Sequence, residues 1–204
     1  MVKKGEEMRI GFYLIPPYPL ALKILELRNL VYDQYRIKAA LNFMIHMTIK
    51  GFFKPKRNFN LAELINVLDK IISKYKPFTI FPAGFKIFDN EGIALVFSKD
   101  LNPILWELHG ECYDAIEPFI APDCNFTPKE DIKENFIPHI TISMTDVTQD
   151  TLVDIYDFFK EVTFGTHGYT VHNFKLYQFE SENWHSDEWI YTLKWKILKS
   201  WRLS

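Results

Sequence analysis

Two nine-residue segments carry the residues best suited to chemistry. Residues 42–50 read N-F-M-I-H-M-T-I-K and residues 135–143 read N-F-I-P-H-I-T-I-S, so N-F-x-x-H-x-T-I occurs twice, with His46 and His139 93 positions apart. Random placement of six histidines among the threonines gives about 0.3 H-x-T matches in a chain of this length, and the shared Ile and N-F neighbours make coincidence rarer still. Unperturbed imidazole titrates at about 6.5, so near neutral pH one histidine can accept a proton while a second donates one. Cleavage of a phosphodiester needs both transfers at once. The attacking oxygen loses a proton, the leaving oxygen gains one, and the phosphorus between them gathers negative charge on its free oxygens. Thr48, Thr141 and Lys50 are of the types that hold such charge in place.

That chemistry requires elements that bring the two histidines together. The apolar–polar alternation predicts strands at about 43–49 and 136–143, and alternate side chains of a strand share a face. His46, Thr48 and Lys50 are therefore expected on one face, and His139, Thr141 and Ser143 on another. Around them the sequence predicts a strand over 9–15, closed by Pro16 and Pro17, and a helix over 20–35 with Leu20, Ile24, Leu27 and Val31 inward. Asn60 and Glu63 form an N-x-x-E capping pattern that opens a helix with Leu64, Leu68, Ile71 and Ile72 on one side, and Pro77 stops it. Strands at 78–88 and 92–98 flank an Asp-Asn-Glu-Gly turn, and helices follow at 103–119 and 149–160. Strands at 170–180 and 188–198 end the series. F-K-I-F at 85–88 is echoed by F-K-L-Y at 174–177, each one helix downstream of its histidine. The expected architecture is one bilobal domain over residues 1–204, its first lobe at about 9–88 and its second at about 92–202, around one cleft.

With H-M-T-I-K and H-I-T-I-S each on a predicted strand, the chain resembles the two-histidine phosphoesterase superfamily, which includes the 2′-5′ RNA ligase-like proteins and cyclic phosphodiesterases. The resemblance spans nearly the whole chain, and the segment from Phe78 to Phe97 is similar to the family's hairpin between lobes. It implies an α+β fold of two pseudo-symmetric lobes, each a mainly antiparallel sheet with helices on its outer face. The implied activity is metal-independent hydrolysis of a 2′,3′-cyclic or 1″,2″-cyclic nucleotide phosphate, or of a 2′-linked phosphodiester. The implied catalytic quartet is His46, Thr48, His139 and Thr141, with His46 protonating the leaving oxygen and His139 activating water. Lys50 stands where 2′-5′ RNA ligase-like members often have lysine. Ser143 and Met144 stand where those members frequently carry a basic residue. The partner implied is a nucleotide or an RNA 2′,3′-cyclic phosphate end, and no cofactor or metal is called for. A non-catalytic nucleotide or RNA-end binding module of the same fold is the alternative.

Other residues and the composition set bounds on these readings. Substrate contacts are expected from Lys50 and Ser143 on the motif strands, from Phe88 as a cleft-wall or core aromatic, and from Trp184 near a loop tip, where its indole can stack a base or instead pack onto the domain edge. His109 reads as a surface or cap residue of a helix. His167 and His172 lack the carboxylate or thiolate company of metal ligands. A hydrophobic fraction of 48% and a net charge of −2 indicate a folded chain whose surface is not built to hold duplex DNA. Absent a membrane-length apolar run or a cleavage site, and with Cys112 and Cys124 outside any disulfide framework, a cytoplasmic monomer with reduced thiols is expected.

Overall fold

The computed structural model describes residues 8–88, 92–124, 132–182, 184 and 186–204. Strand β1 (Arg9–Ile15) ends at the Pro16-Pro17 pair, and helix α1 (Tyr18–Tyr35) begins there with Pro17 as its extended N-cap. Its buried face is Leu20, Ile24, Leu27, Arg28 and Val31, the expected stripe with one arginine added. Arg36, in the left-handed region at φ 63°, closes the helix by donating its N–H to Tyr32. A 3₁₀ turn (Ala39–Asn42) leads to β2 (Met47–Phe53), and α2 (Leu61–Ile72) starts where Asn60 accepts a hydrogen bond from the Ala62 N–H. Leu64, Leu68, Ile71 and Ile72 are buried as the spacing predicts.

Then come β3 (Phe78–Ile80), β4 (Gly84–Phe88), β5 (Gly92–Val96), α3 (Pro103–Ile116), β6 (His139–Met144) and α4 (Gln149–Phe159). The chain continues through β7 (Tyr169–Val171), β8 (Asn173–Glu180), a 3₁₀ turn (Asp187–Tyr191) and β9 (Lys194–Arg202). Two expected strands are each divided. The strand expected over 78–88 breaks at Phe81-Pro82-Ala83, where Pro82 has no N–H for a ladder and the buried Asn102 amide takes the place of a strand partner. It accepts from the Phe81 N–H at 2.7 Å and donates to the Phe81 carbonyl at 2.9 Å. The strand expected over 170–180 breaks at His172, whose carbonyl accepts from Leu203. The last strand begins at Lys194 because residues 187–191 coil into the 3₁₀ turn, and both motif strands start at or after their histidine.

The strands form antiparallel sheets ordered β2-β1-β8-β9 and β4-β5-β6, with a short β3-β7 ribbon. Sheet pairing crosses the expected division at 88/92: β8 and β9 join β1 and β2, while β4 joins β5 and β6. The helices cross as well. α1, which follows a strand of the first sheet, packs on β6 of the second, and α3, which follows a strand of the second sheet, packs on β2 of the first. Each sheet thereby gains helices on one side, and the two-lobed α+β architecture expected from the sequence is borne out. A continuous apolar core runs through both lobes. A separate aromatic cluster of Tyr13, Phe43, Phe52, Tyr177, Phe179, Trp184 and Trp189 lines the other side of the first sheet. Cys112 and Cys124 carry free thiols, and no helix among the described residues is long and apolar enough to cross a membrane.

Candidate active site

The two H-x-T motifs lie on β2 and β6, whose Cα atoms come within 8 Å of each other although the strands belong to different sheets. Both histidines are held the same way. His46 Nδ1 donates to the Met44 carbonyl at 2.8 Å and His139 Nδ1 donates to the Ile137 carbonyl at 2.7 Å, each to the residue two positions earlier. A carbonyl only accepts, so the proton sits on Nδ1 and proton exchange falls to Nε2 in both rings. His46 is 8% exposed, packed edge-on against Tyr13 and Phe43 with both ring centroids at 4.6 Å. Burial lowers its pKa to about 3; the bond to Met44 opposes that shift, and the charges of Arg28 and His139 add to it. The free protein therefore holds a neutral His46 at neutral pH, within electrostatic reach of His139.

The strand geometry repeats too, one residue further than the sequence shows. Thr48 pairs with Tyr13 and Lys50 with the adjacent Phe12; Thr141 pairs with Ala94 and Ser143 with the adjacent Ile93. In each copy two motif residues answer one partner residue directly after the threonine, which is a β-bulge. His139 and Thr141 keep a common, partly open face, and Thr48 is likewise half-buried. The fifth position does not follow. Lys50 is 1% exposed with its ammonium 5.3 Å from the centre of the Tyr113 ring on α3, and Ser143 is fully buried, its hydroxyl without a hydrogen-bond partner among the described residues. The expectation that Lys50 and Ser143 share the faces of Thr48 and Thr141 is corrected: the bulge breaks the two-residue period at the same point in both strands.

Residues 16–182 match the family model of the 2′-5′ RNA ligase superfamily. The chain belongs to the 2′-5′ RNA ligase superfamily. No curated protein matches the sequence. Among solved structures the fold is similar to that of E. coli LigT complexed with 3′-AMP, with 17% identity, a TM-score of 0.57, and coverage of 98% of this chain and 99% of that one. It is also similar to TT0787 of Thermus thermophilus, with 14% identity, a TM-score of 0.65, and coverage of 96% and 97%. LigT has further been solved with NADP+ and with ATP. Membership bears out the resemblance read from the paired motifs, and family and fold together support a phosphoesterase or ligase-like activity.

In this member of the 2′-5′ RNA ligase superfamily, the remaining expected site residues divide. Phe88 lies against the second motif, its ring centre 4.9 Å from that of His139, and the Lys86 ammonium stands 5.3 Å from the same phenyl ring. Trp184 takes the second of its two expected placements, packed rather than open. It is 5% exposed, stacked on Trp189 at 5.7 Å and edge-on to Phe52, with the Arg9 guanidinium 5.2 Å from its centre, so it offers no open face to a base. His185, next to it in the chain, lies outside the described residues. His109, expected at a surface or cap, is fully buried: its Nδ1 donates to the Ile49 carbonyl at 2.7 Å and its ring stacks on Phe136 at 3.8 Å.

Three residues that hold the site together escaped the sequence reading. Arg28 bonds carbonyls on both sides of it, Asp146 accepts from the Lys38 and Ala39 N–H groups that open the 3₁₀ turn before the first motif, and Tyr13 packs edge-on against His46. The arginine interrupting the apolar stripe of α1 was the one signal in the sequence that could have pointed to them.

Proposed function

We propose that this protein is a phosphodiesterase that hydrolyses a cyclic nucleotide phosphate, 2′,3′-cyclic or 1″,2″-cyclic, or a 2′-linked phosphodiester, by paired-histidine general acid–base catalysis. The observation that carries the reading is the twofold H-x-T geometry: two imidazoles with identical Nδ1 anchors, on strands in contact, each followed by a threonine and then a bulge. One imidazole takes a proton from the attacking water, the bond from phosphorus to the ribose oxygen breaks, and the other imidazole gives that oxygen a proton. Thr48 and Thr141 hydroxyls stabilise the charge that collects on the phosphoryl oxygens. That LigT has been solved with 3′-AMP and with ATP supports a nucleotide as the substrate class. Phe88, beside His139, is the aromatic surface for its base.

Burial supports one assignment of the roles. A neutral His46 can accept a proton once the negative charge of a bound phosphate raises a basicity that is held down first by burial and then by the charges of Arg28 and His139. His46 is then the base and His139 the acid, the reverse of the order the family resemblance implies. Acid, base and anion-stabilising hydroxyls are all side chains, so turnover is expected to continue in the presence of a chelator.

The test uses 2′,3′-cyclic mononucleotides, ADP-ribose 1″,2″-cyclic phosphate and 2′-5′ dinucleotides. His46→Ala and His139→Ala should each lower the rate at least about a hundredfold on the substrate that turns over. On a nitrophenyl phosphodiester, whose leaving group departs without a proton, His139→Ala should recover most of its activity and His46→Ala should not. Rescue of His46→Ala alone would restore the reverse assignment. Tight binding of these compounds with no turnover would instead make the protein a nucleotide-binding module.

A further inference from the structure

Two buried polar side chains lie outside the quartet, and each touches both motifs. Arg28, on α1, donates from Nε and Nη2 to the Thr141 carbonyl at 3.1 and 2.8 Å, and from Nη1 to the Ala40 and Phe43 carbonyls at 2.6 and 2.8 Å. It thus joins the body of the second motif to the entry of the first, three residues before His46. His109, on α3, does the converse: its Nδ1 bonds Ile49, three residues after His46, and its ring stacks within 3° of parallel on Phe136, three residues before His139. The crossed packing of α1 on β6 and α3 on β2 carries each side chain to the opposite sheet.

Neither contact is cheap. Arg28 is 3% exposed and, among the described residues, forms no ion pair, its charge being met by carbonyl dipoles alone. His109 Nε2 is buried with no hydrogen-bond partner among the described residues. An apolar residue of similar volume is often neutral or stabilising in place of a buried charge such as Arg28, or of a buried polar group left unpaired such as His109 Nε2, so stability does not account for either side chain. Geometry does. Acid and base must sit on opposite sides of one phosphorus, and a misplacement of about 1 Å is enough to cost about a hundredfold in rate.

We propose that Arg28 and His109 are a reciprocal pair of positioning residues that fix the placement of one H-x-T motif relative to the other. This rests on the two-histidine reading above. The experiment compares Arg28→Lys, Arg28→Met, His109→Phe and His109→Asn on the cyclic phosphate and on the nitrophenyl diester, with the melting midpoint of each variant recorded. His109→Phe keeps the stack on Phe136 and loses the donor, whereas His109→Asn keeps a donor near the position of Nδ1.

Arg28→Met, His109→Phe and His109→Asn should each lower kcat/KM on the cyclic phosphate at least about tenfold, His109→Phe by cutting the bond to the first motif and His109→Asn by losing the stack on the second. On the nitrophenyl diester, where one histidine suffices and its distance from the other no longer matters, the losses should shrink to within about threefold. Equal losses on both substrates, no loss in folded variants, or losses that simply follow the melting midpoint would overturn the proposal. If Arg28→Met does not fold, Arg28→Lys and the two position-109 variants decide it. A wild type inert on both substrates would overturn the functional reading instead. Positioning would then be read from inorganic phosphate, titrated while the ring resonances of His46 and His139 are followed. His109→Phe should weaken that binding at least about tenfold, and unchanged affinity would sink the proposal.

Discussion

A histidine's surroundings decide what its chemistry can be. His46 and His139 stand in the same five-residue pattern, yet His46 is nearly enclosed by Tyr13 and Phe43 while His139 keeps a partly open face. The threonines two residues on are the groups left to meet a phosphate, and the lysine four residues on is turned toward α3. Replacing Thr48 by Val should therefore lower kcat by about 10- to 100-fold through loss of one donor to the phosphoryl oxygens. Lys50→Met should change KM by less than about threefold, its ammonium being buried against the Tyr113 ring on α3. Steady-state kinetics of the two variants on the same cyclic phosphate checks both, and a larger defect for Lys50→Met than for Thr48→Val would return the lysine to the site.

Each motif strand is shaped by its partner. The bulge after Thr141 sits beside Gly92, which has φ 151° and approaches β6 so closely that an added Cβ would lie 2.0 Å from the Ser143 carbonyl oxygen. Backbone cannot rotate away as a side chain does, so Gly92→Ala must displace β5 or β6. A loss of about 2–3 kcal/mol in stability is expected, read as a lower urea midpoint at unchanged slope. Because β6 carries His139, the activity of the folded fraction should fall as well. An unchanged midpoint would mean that the two strands can separate without cost. Helix boundaries were the easiest elements to read, since Asn60 and the Pro16-Pro17 pair act through their own neighbours. The strands at 78–88 and 170–180 were harder, because a long-range partner such as Asn102 decides where each one breaks.

The whole molecule brings together charges and carbonyls that lie far apart in the chain, and its stability should show it. Burial lowers the pKa of His46 to about 3 and that of His109 to about 4, in each case against a bond to a carbonyl that raises it. Unfolded, both rings take up protons near pH 6.5; folded, they resist until far lower pH. The unfolded state binds more protons in that window, so stability declines as pH falls from about 6.5 toward 4. Between pH 6.5 and 5 the two groups together should remove on the order of 3 kcal/mol. Melting midpoints measured at pH 7 and pH 5 should show the drop, and His109→Phe should make it shallower. A midpoint that holds steady across that range would mean that neither ring is buried neutral.

From sequence alone, the repeat of N-F-x-x-H-x-T-I determined the two histidines, their threonines and the family resemblance, because residue type and strand period are local properties of the chain. Tertiary structure decided where periodicity fails. A bulge depends on register with another strand, and it removed Lys50 and Ser143 from the faces their spacing predicts. Burial against distant aromatics closed Trp184 and buried His109. Arg28 lies 113 positions from the Thr141 carbonyl it bonds, and only the crossed packing of the helices brings the two within a hydrogen bond of each other.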